Sequence, residues 1–230
     1  MLKVIYLVLG VAAITSCAAG PALAYAQILK PLQGFLLFAV GMLLGTVVTL
    51  IGIGVLIRGG SPMTYTAAAL GVGPFLLLVT SILNGTRYPA INDIATELVY
   101  PPLFQHAQKL PENEGEDFTF PEKNKELIRE HYSDLKSVAV ESNPEDVVVR
   151  VSQLAKQQPG WTVTKSELNA QESFLEGYAE TGVFKFKDDF VIRITKADEG
   201  SVIDMRSRSR DGQGDFGANA ARIRSFLANF

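Results

Sequence analysis

The chain has 230 residues and a formal net charge of −3, but that figure sums two chemically different stretches. Residues 1–84 contain no Asp, Glu or His and only Lys3, Lys30 and Arg58 as charges, so all 24 acids and 18 of the 21 bases lie beyond them. The first stretch is near +3 and the second near 18 − 24 = −6, which excludes one globular core for the whole chain and argues against a nucleic-acid-binding surface.

Three apolar runs come first. Residues 4–26 are interrupted only by Gly20-Pro21, and residues 33–57 and 64–83 carry no charge. Each is about long enough to span a hydrocarbon core of roughly 30 Å, so a transmembrane region over 1–84 with three spans is predicted. Lys30-Pro31 and Arg58-Gly-Gly-Ser-Pro62 read as short polar turns. Tyr25, Tyr65 and Tyr88 fall near span ends, where amphipathic rings favour the membrane interface. In the second span, Gly41 and Gly45 with Thr46 and Thr49 put small side chains on one side, where a neighbouring backbone can come close. Ordinary glycine richness of membrane helices is the plain alternative. No ionisable side chain sits at mid-membrane depth, which argues against transport by this chain alone.

The start of the chain admits three readings. Lys3, the apolar stretch from Val4 to Ala13 and Ile14-Thr15-Ser16-Cys17 imitate a bacterial lipoprotein signal, which makes Cys17 the candidate lipidation site. The expected reading is an uncleaved first helix, and cleavage near Ala22-Leu-Ala24 is the third. Lys3 and Arg58 would face one side and Lys30 and Arg87 the other, so basic residues do not decide orientation. An internal amino terminus after three crossings sends the remaining domain to the periplasmic side of a bacterial inner membrane.

Residues 85–120, with Tyr88-Pro89, Pro101-Pro102 and an acidic stretch over 111–117, read as an extended linker before a soluble domain over 121–230. A short helix is predicted over 121–131. A second starts at Asn143 as cap with Pro144 in its first turn, shows one apolar face through Val147, Val148, Val151, Leu154 and Ala155, and stops at Pro159-Gly160. The period then becomes alternating over 161–167, 171–186, 190–195 and 202–209, with Thr181-Gly182 as a break inside the long second run. The separators 168–170, 187–189 and 196–200 suit hairpins, so the sheet is expected to be antiparallel with about four strands. A last helix is expected over 216–227. The fold class is α+β: a bundle of about three transmembrane helices, then an antiparallel sheet flanked by helices.

The stretch from Asp204-Met-Arg206-Ser-Arg208-Ser-Arg210 through Asp211-Gly212-Gln-Gly214-Asp215-Phe-Gly217 to Asn219, Arg222 and Ile223 resembles the bacterial and plastid family called domain of unknown function 1499. Supporting pieces are Asn92-Asp93-Ile94-Ala95-Thr96, Pro101-Pro102-Leu-Phe104, Gly160-Trp161 and the run from Phe184 to Arg193. The resemblance covers residues 88–230 and departs from the family pattern at Glu97 and at Tyr132-Ser133. It implies a domain identity and membrane association, without an activity.

Gly212-Gln-Gly214-Asp-Phe-Gly217 satisfies a dinucleotide fingerprint, but the returning parallel strand and the later acid that such a site needs are missing. A structural turn with Asp215 as a helix cap is expected there. Alternation puts Asp204, Arg206, Arg208 and Arg210 on one strand face, and Lys185 and Arg193 on neighbouring strands can join them. Arg193, Arg206, Arg208 and Arg210 are therefore the candidate anion-binding residues, since guanidinium forks suit carboxylates and phosphates. The competing reading is a solvated face balanced by Asp188, Asp189, Asp204 and Asp211. Catalytic signals are thin. His106 and His131 stand alone, and Asp93 with Glu97 or Asp188 with Asp189 could serve as paired carboxylates, although a linker and a turn explain them more simply. No catalytic residue, cofactor or metal is assigned. The expected partners are the lipid bilayer and either anionic lipid head groups or another membrane protein, with no nucleic acid. A membrane-anchored binding or scaffolding module is the leading functional expectation, and an enzyme acting on lipid or envelope material is the alternative.

Overall fold

The computed structural model describes every residue except Ala170. It divides into two compact units, residues 1–87 with 182–185, and residues 88–181 with 186–230.

The first unit contains α1 (Leu2–Tyr25), α2 (Pro31–Arg58) and α3 (Pro62–Gly85), each long and apolar enough to cross a membrane. Pro31 and Pro62 open α2 and α3, where a missing N–H is harmless, and the Gln33 and Thr64 side chains reach back to accept from the Lys30 and Ser61 N–H groups. Glycines set the helix spacing. A Cβ on Gly20 would lie 2.5 Å from the Gly34 carbonyl oxygen. The Gly41–Gly45 pair serves two neighbours, because Gly41 abuts Ala13 and Cys17 of α1 while Gly45 abuts Gly71 and Pro74 of α3. The Tyr6 hydroxyl, buried between helices, donates to the Val48 carbonyl at 2.5 Å. Cys17 is buried within the unbroken α1.

The second unit is a six-stranded antiparallel sheet, comprising β1 (Asp93–Ala95), β2 (Val138–Val140), β3 (Trp161–Glu167), β4 (Glu172–Glu180), β5 (Lys187–Lys196) and β6 (Ser201–Ser209). The order is β1-β6-β5-β4-β3, and β2 pairs with the start of β6. Helices α4 (Glu122–His131), α5 (Pro144–Gln157) and α6 (Ala218–Leu227) complete it. The α5 cap is the predicted one, with the Asn143 side chain accepting from the Asp146 N–H at 3.0 Å. One core cluster gathers Leu175, Phe190, Ile192, Ile194, Ile203 and Met205 from the strands with Val147, Val151, Ile223 and Phe226 from α5 and α6. Each such side chain stabilises the fold by about 1.5–3 kcal/mol when fully buried. Trp161 stacks on Phe226 with ring centroids 5.1 Å apart.

Three expectations need correction. Residues 88–120 are not a linker: β1 lies among them, and Ile91, Ile94, Phe104, Ala107, Phe118 and Phe120 are buried. Their proline-rich, non-periodic sequence hid this, because irregular packed chain carries no repeat. The turn between β4 and β5 falls at 181–186, so 187–189 is strand and not a separator. Two adjacent aspartates imitate turn chemistry, yet Asp188 and Asp189 alternate across the sheet and each meets an arginine. Among the described residues the strands number six, where about four are expected, because β1 and β2, at three residues each, are too short to show alternation.

Candidate functional site

The outward alternation of β6 holds in three dimensions. Ile203 and Met205 enter the helix-covered core, while Asp204, Arg206 and Arg208 point to the opposite face. That opposite face is roofed by irregular chain from the 97–120 region, whose Phe104, Ala107 and Phe118 pack with Phe174 and Val191 of the sheet.

Arg206 is fully buried at the centre of this layer. Its Nε and Nη2 form a fork on Asp93, at 2.9 and 2.7 Å, and it donates further to the Pro102 carbonyl at 3.2 Å and the Phe118 carbonyl at 2.8 Å. The rings of Phe104 and Phe120 lie 4.9 and 5.1 Å from its guanidinium carbon. Burial raises the Asp93 carboxyl above its usual range, against the lowering effect of the Arg206 bonds and charge.

Glu176 completes the layer from β4. Its carboxylate, also fully buried, accepts the N–H groups of Gln105, His106 and Ala107 at 2.7–3.0 Å. Three successive amides thus close on a carboxylate of the chain itself, as backbone nests close on anions. His106 takes part through its backbone, and His131 lies at the end of α4, 3.9 Å from Glu130.

The other predicted arginines find carboxylates within the chain as well. Arg208 donates to Glu116 at 2.7 Å, Arg210 forks onto buried Asp189 at 2.6–3.1 Å, and Arg193 donates to Asp204 at 2.8 Å. Lys185 stands in the β4–β5 turn with a left-handed backbone, φ 64°. Neither carboxylate pairing suggested by the sequence forms a couple: Asp93 engages Arg206 while Glu97 caps the Val99 N–H at 2.6 Å, and Asp188 and Asp189 meet Arg222 and Arg210. Among the described residues no group of His, Cys, Asp and Glu is placed to hold a metal ion.

The glycine-rich stretch is a cap. Asp215 accepts from the Gly217 and Asn219 N–H groups at 2.8 Å each, occupying the helix start where a phosphate would lie. Burial raises its carboxyl, with the backbone bonds opposing. Burial also raises Tyr132 to about 12, with the negative charge of Asp215 adding to it. Asn219, fully buried, ties Asn92, Ser207 and Ser209 together.

Beside Arg193 the roof leaves a groove of about 350 Å³, lined by Val99, Tyr100, Leu103, Phe174, Glu172 and Arg193 among others. Tyr100 is 76 % exposed and Leu103 69 %. The Arg193 Nε has no hydrogen-bond partner, with Glu172 at 4.0 Å. Of the four arginines singled out by pattern, Arg193 is the one that borders this open space. Glu176 and Glu116 escaped sequence reasoning, and Asn219 entered it only as part of the family resemblance. A usable signal existed for Glu176, an acid in phase with Phe174 and Tyr178 in the middle of β4, between the glutamates at the strand's two ends.

No curated protein and no solved structure matches the chain. A family model described as a protein of unknown function, DUF1499, matches residues 93–230, more than half of the chain and all of the ion-pair layer from Asp93 to Arg210. The chain belongs to the DUF1499 family.

Proposed function

We propose that this chain is a membrane-anchored binding module of the bacterial envelope, held in the inner membrane with its sheet unit on the periplasmic side. The observation that supports binding over catalysis is where the polar valences go. The buried charges Asp93, Glu176, Asp188, Asp189, Asp204, Arg206 and Arg208 all bond within the chain, Arg208 through Nη2 while its Nη1 has no partner, so these charges chiefly hold the fold together. The open surface lies at the groove, where exposed Val99, Tyr100 and Leu103 stand beside an arginine whose charge is balanced by Asp204 and Glu172. Apolar and aromatic side chains around a neutralised arginine suit a protein surface better than an anionic head group. The proposed partner is therefore another membrane protein.

A photo-crosslinking residue at Leu103 in the full chain tests this in membranes. Crosslinks to one protein that are lost in a Tyr100→Glu variant of unchanged thermal stability are expected. Crosslinks to anionic lipid would replace the partner assignment. Loss of a lipid-modifying turnover after a single polar substitution, with folding intact, would favour the enzyme alternative.

A further inference from the structure

Phe216 holds a backbone conformation that bulky side chains avoid, with φ 53°, and the residue is 59 % exposed. A bulky residue in this region is strained and persists only where its surroundings impose it. Here the surroundings are the turn itself. Asp215 accepts two N–H groups just beyond Phe216, and Gly212 and Gly217 take left-handed conformations on either side. The ring joins neither core cluster of this unit. The chain thus holds a largely exposed aromatic residue at a cost in backbone strain, outside both core clusters.

The position of the turn along the chain indicates what the ring meets. A Cβ placed on Gly217 would lie 2.6 Å from the Tyr88 ring, so the turn is pressed against Tyr88. Tyr88 is the third residue after Gly85, the last of α3. Three residues of extended chain reach at most about 11 Å. At about 1.5 Å per residue the 24 residues of α3 span roughly 36 Å, enough to cross the roughly 30 Å of a hydrocarbon core and bring its ends to the head-group boundary. Tyr88 therefore stays within reach of the point where the chain leaves the bilayer, and Phe216 stays with Tyr88. A protein partner carries no such covalent constraint, whereas the lipid interface does.

We propose that Phe216 is a membrane-interface anchor whose ring enters the boundary between head groups and acyl chains of the bilayer that α3 crosses. Aromatic side chains gather at that depth, and the anchor restrains the sheet unit with an aromatic contact beyond the covalent tether.

The test uses the full chain in phosphatidylcholine–phosphatidylglycerol nanodiscs. A Phe216→Trp variant should lose emission when lipids brominated near the head-group end of the acyl chain replace unbrominated ones, beyond any loss shown by the wild type through Trp161. Lipids brominated near the methyl end should quench less. A second variant, Phe216→Cys with Cys17→Ser, carries an environment-sensitive fluorophore. It should be quenched less by aqueous iodide than the same label on Val149→Cys, an exposed apolar position of α5. Lipid quenching equal to wild type, or iodide quenching equal to that at position 149, would overturn the anchor. A dye protected from iodide but untouched by brominated lipid would assign Phe216 to a protein contact instead.

Discussion

The two faces of the sheet differ in their balance of apolar and charged side chains, although Asp188 and Arg222 pair on the helix side and Phe174 and Val191 pack under the roof. The helix side holds Ile192, Ile194, Ile203, Met205 and Phe190 with aliphatic residues of α5 and α6, and the far side holds Arg206, Asp93, Glu176, Asp189 and Arg193. The cover explains the contrast. A helix satisfies its own backbone, so the surface it lays on a sheet can be apolar throughout. An irregular segment such as 97–120 brings unpaired N–H and carbonyl groups, and the sheet has to supply their partners. Arg206 takes the Pro102 and Phe118 carbonyls, and Glu176 takes three successive amides. The charges on this face do for an irregular roof what a helix does for itself.

The largest expected effect follows from removing the central fork. Arg206→Met strands the Asp93 carboxylate and two backbone carbonyls in the interior, and breaking such a pair costs about 3–5 kcal/mol. Urea unfolding of the full chain, followed by the fluorescence of Trp161, measures it. Adding Asp93→Leu removes the stranded charge but leaves the two carbonyls, so the double variant should recover only part of the loss, with about 2 kcal/mol remaining. Full recovery would mean that the fork serves Asp93 alone and that the roof does not depend on it.

Glu176→Gln comes next. Its amide nitrogen would face donors where an oxygen now accepts, which costs about 2 kcal/mol for bonds to a charged group. The loss should be local. Hydrogen exchange should accelerate at Gln105, His106 and Ala107 and leave the α5 and α6 amides protected. Uniform acceleration would contradict the separation of the two faces.

This separation also marks what the sequence makes legible. The apolar face was readable because helix and strand periods repeat: α5 with its Asn143 cap, the β3 to β6 order and the β6 alternation all follow from spacing. The three long apolar helices of the first unit were readable from the absence of charge. The charged face was not, since β6 announces Arg206 and Arg208 but nothing in the spacing of Asp93, Glu116 or Asp189 says which arginine each will meet. The roof itself carries no period, so it read as a linker.

A titration sharpens the comparison at the cap. Burial holds the Asp215 carboxyl above its ordinary value of 3.8. A carboxyl raised in the folded state favours folding most when protonated. Its contribution is fully present below 3.8 and lost as pH rises through the folded value. Asp215→Asn removes the titration and keeps an accepting oxygen. The stability of the wild type relative to this variant should therefore fall as pH rises from 3.8 toward neutrality, read from urea midpoints at matched pH. A difference that is constant or that rises with pH would show that the Gly217 and Asn219 bonds outweigh desolvation.

The smallest effect belongs to an ion pair with similar geometry but open to solvent. Arg224 forks onto Asp134 at 2.6 and 3.0 Å, as Arg206 does onto Asp93, but its side chain is 50 % exposed and that of Asp134 is 53 %. Water competes for both partners and salt screens them, so such a pair contributes about 0.2–1 kcal/mol. The Arg224 bond holds Asp134 below its usual range, which has the opposite sign to Asp215: this contribution is present above 3.8 and lost as pH falls. Arg224→Ala should therefore shift the urea midpoint slightly near neutrality and less at high salt. The Arg206 variants should be insensitive to salt, because no ions reach that pair. If Arg224→Ala and Arg206→Met proved equally costly, fork geometry rather than burial and roof-holding would govern these pairs, and the contrast between the two faces would lose its physical basis.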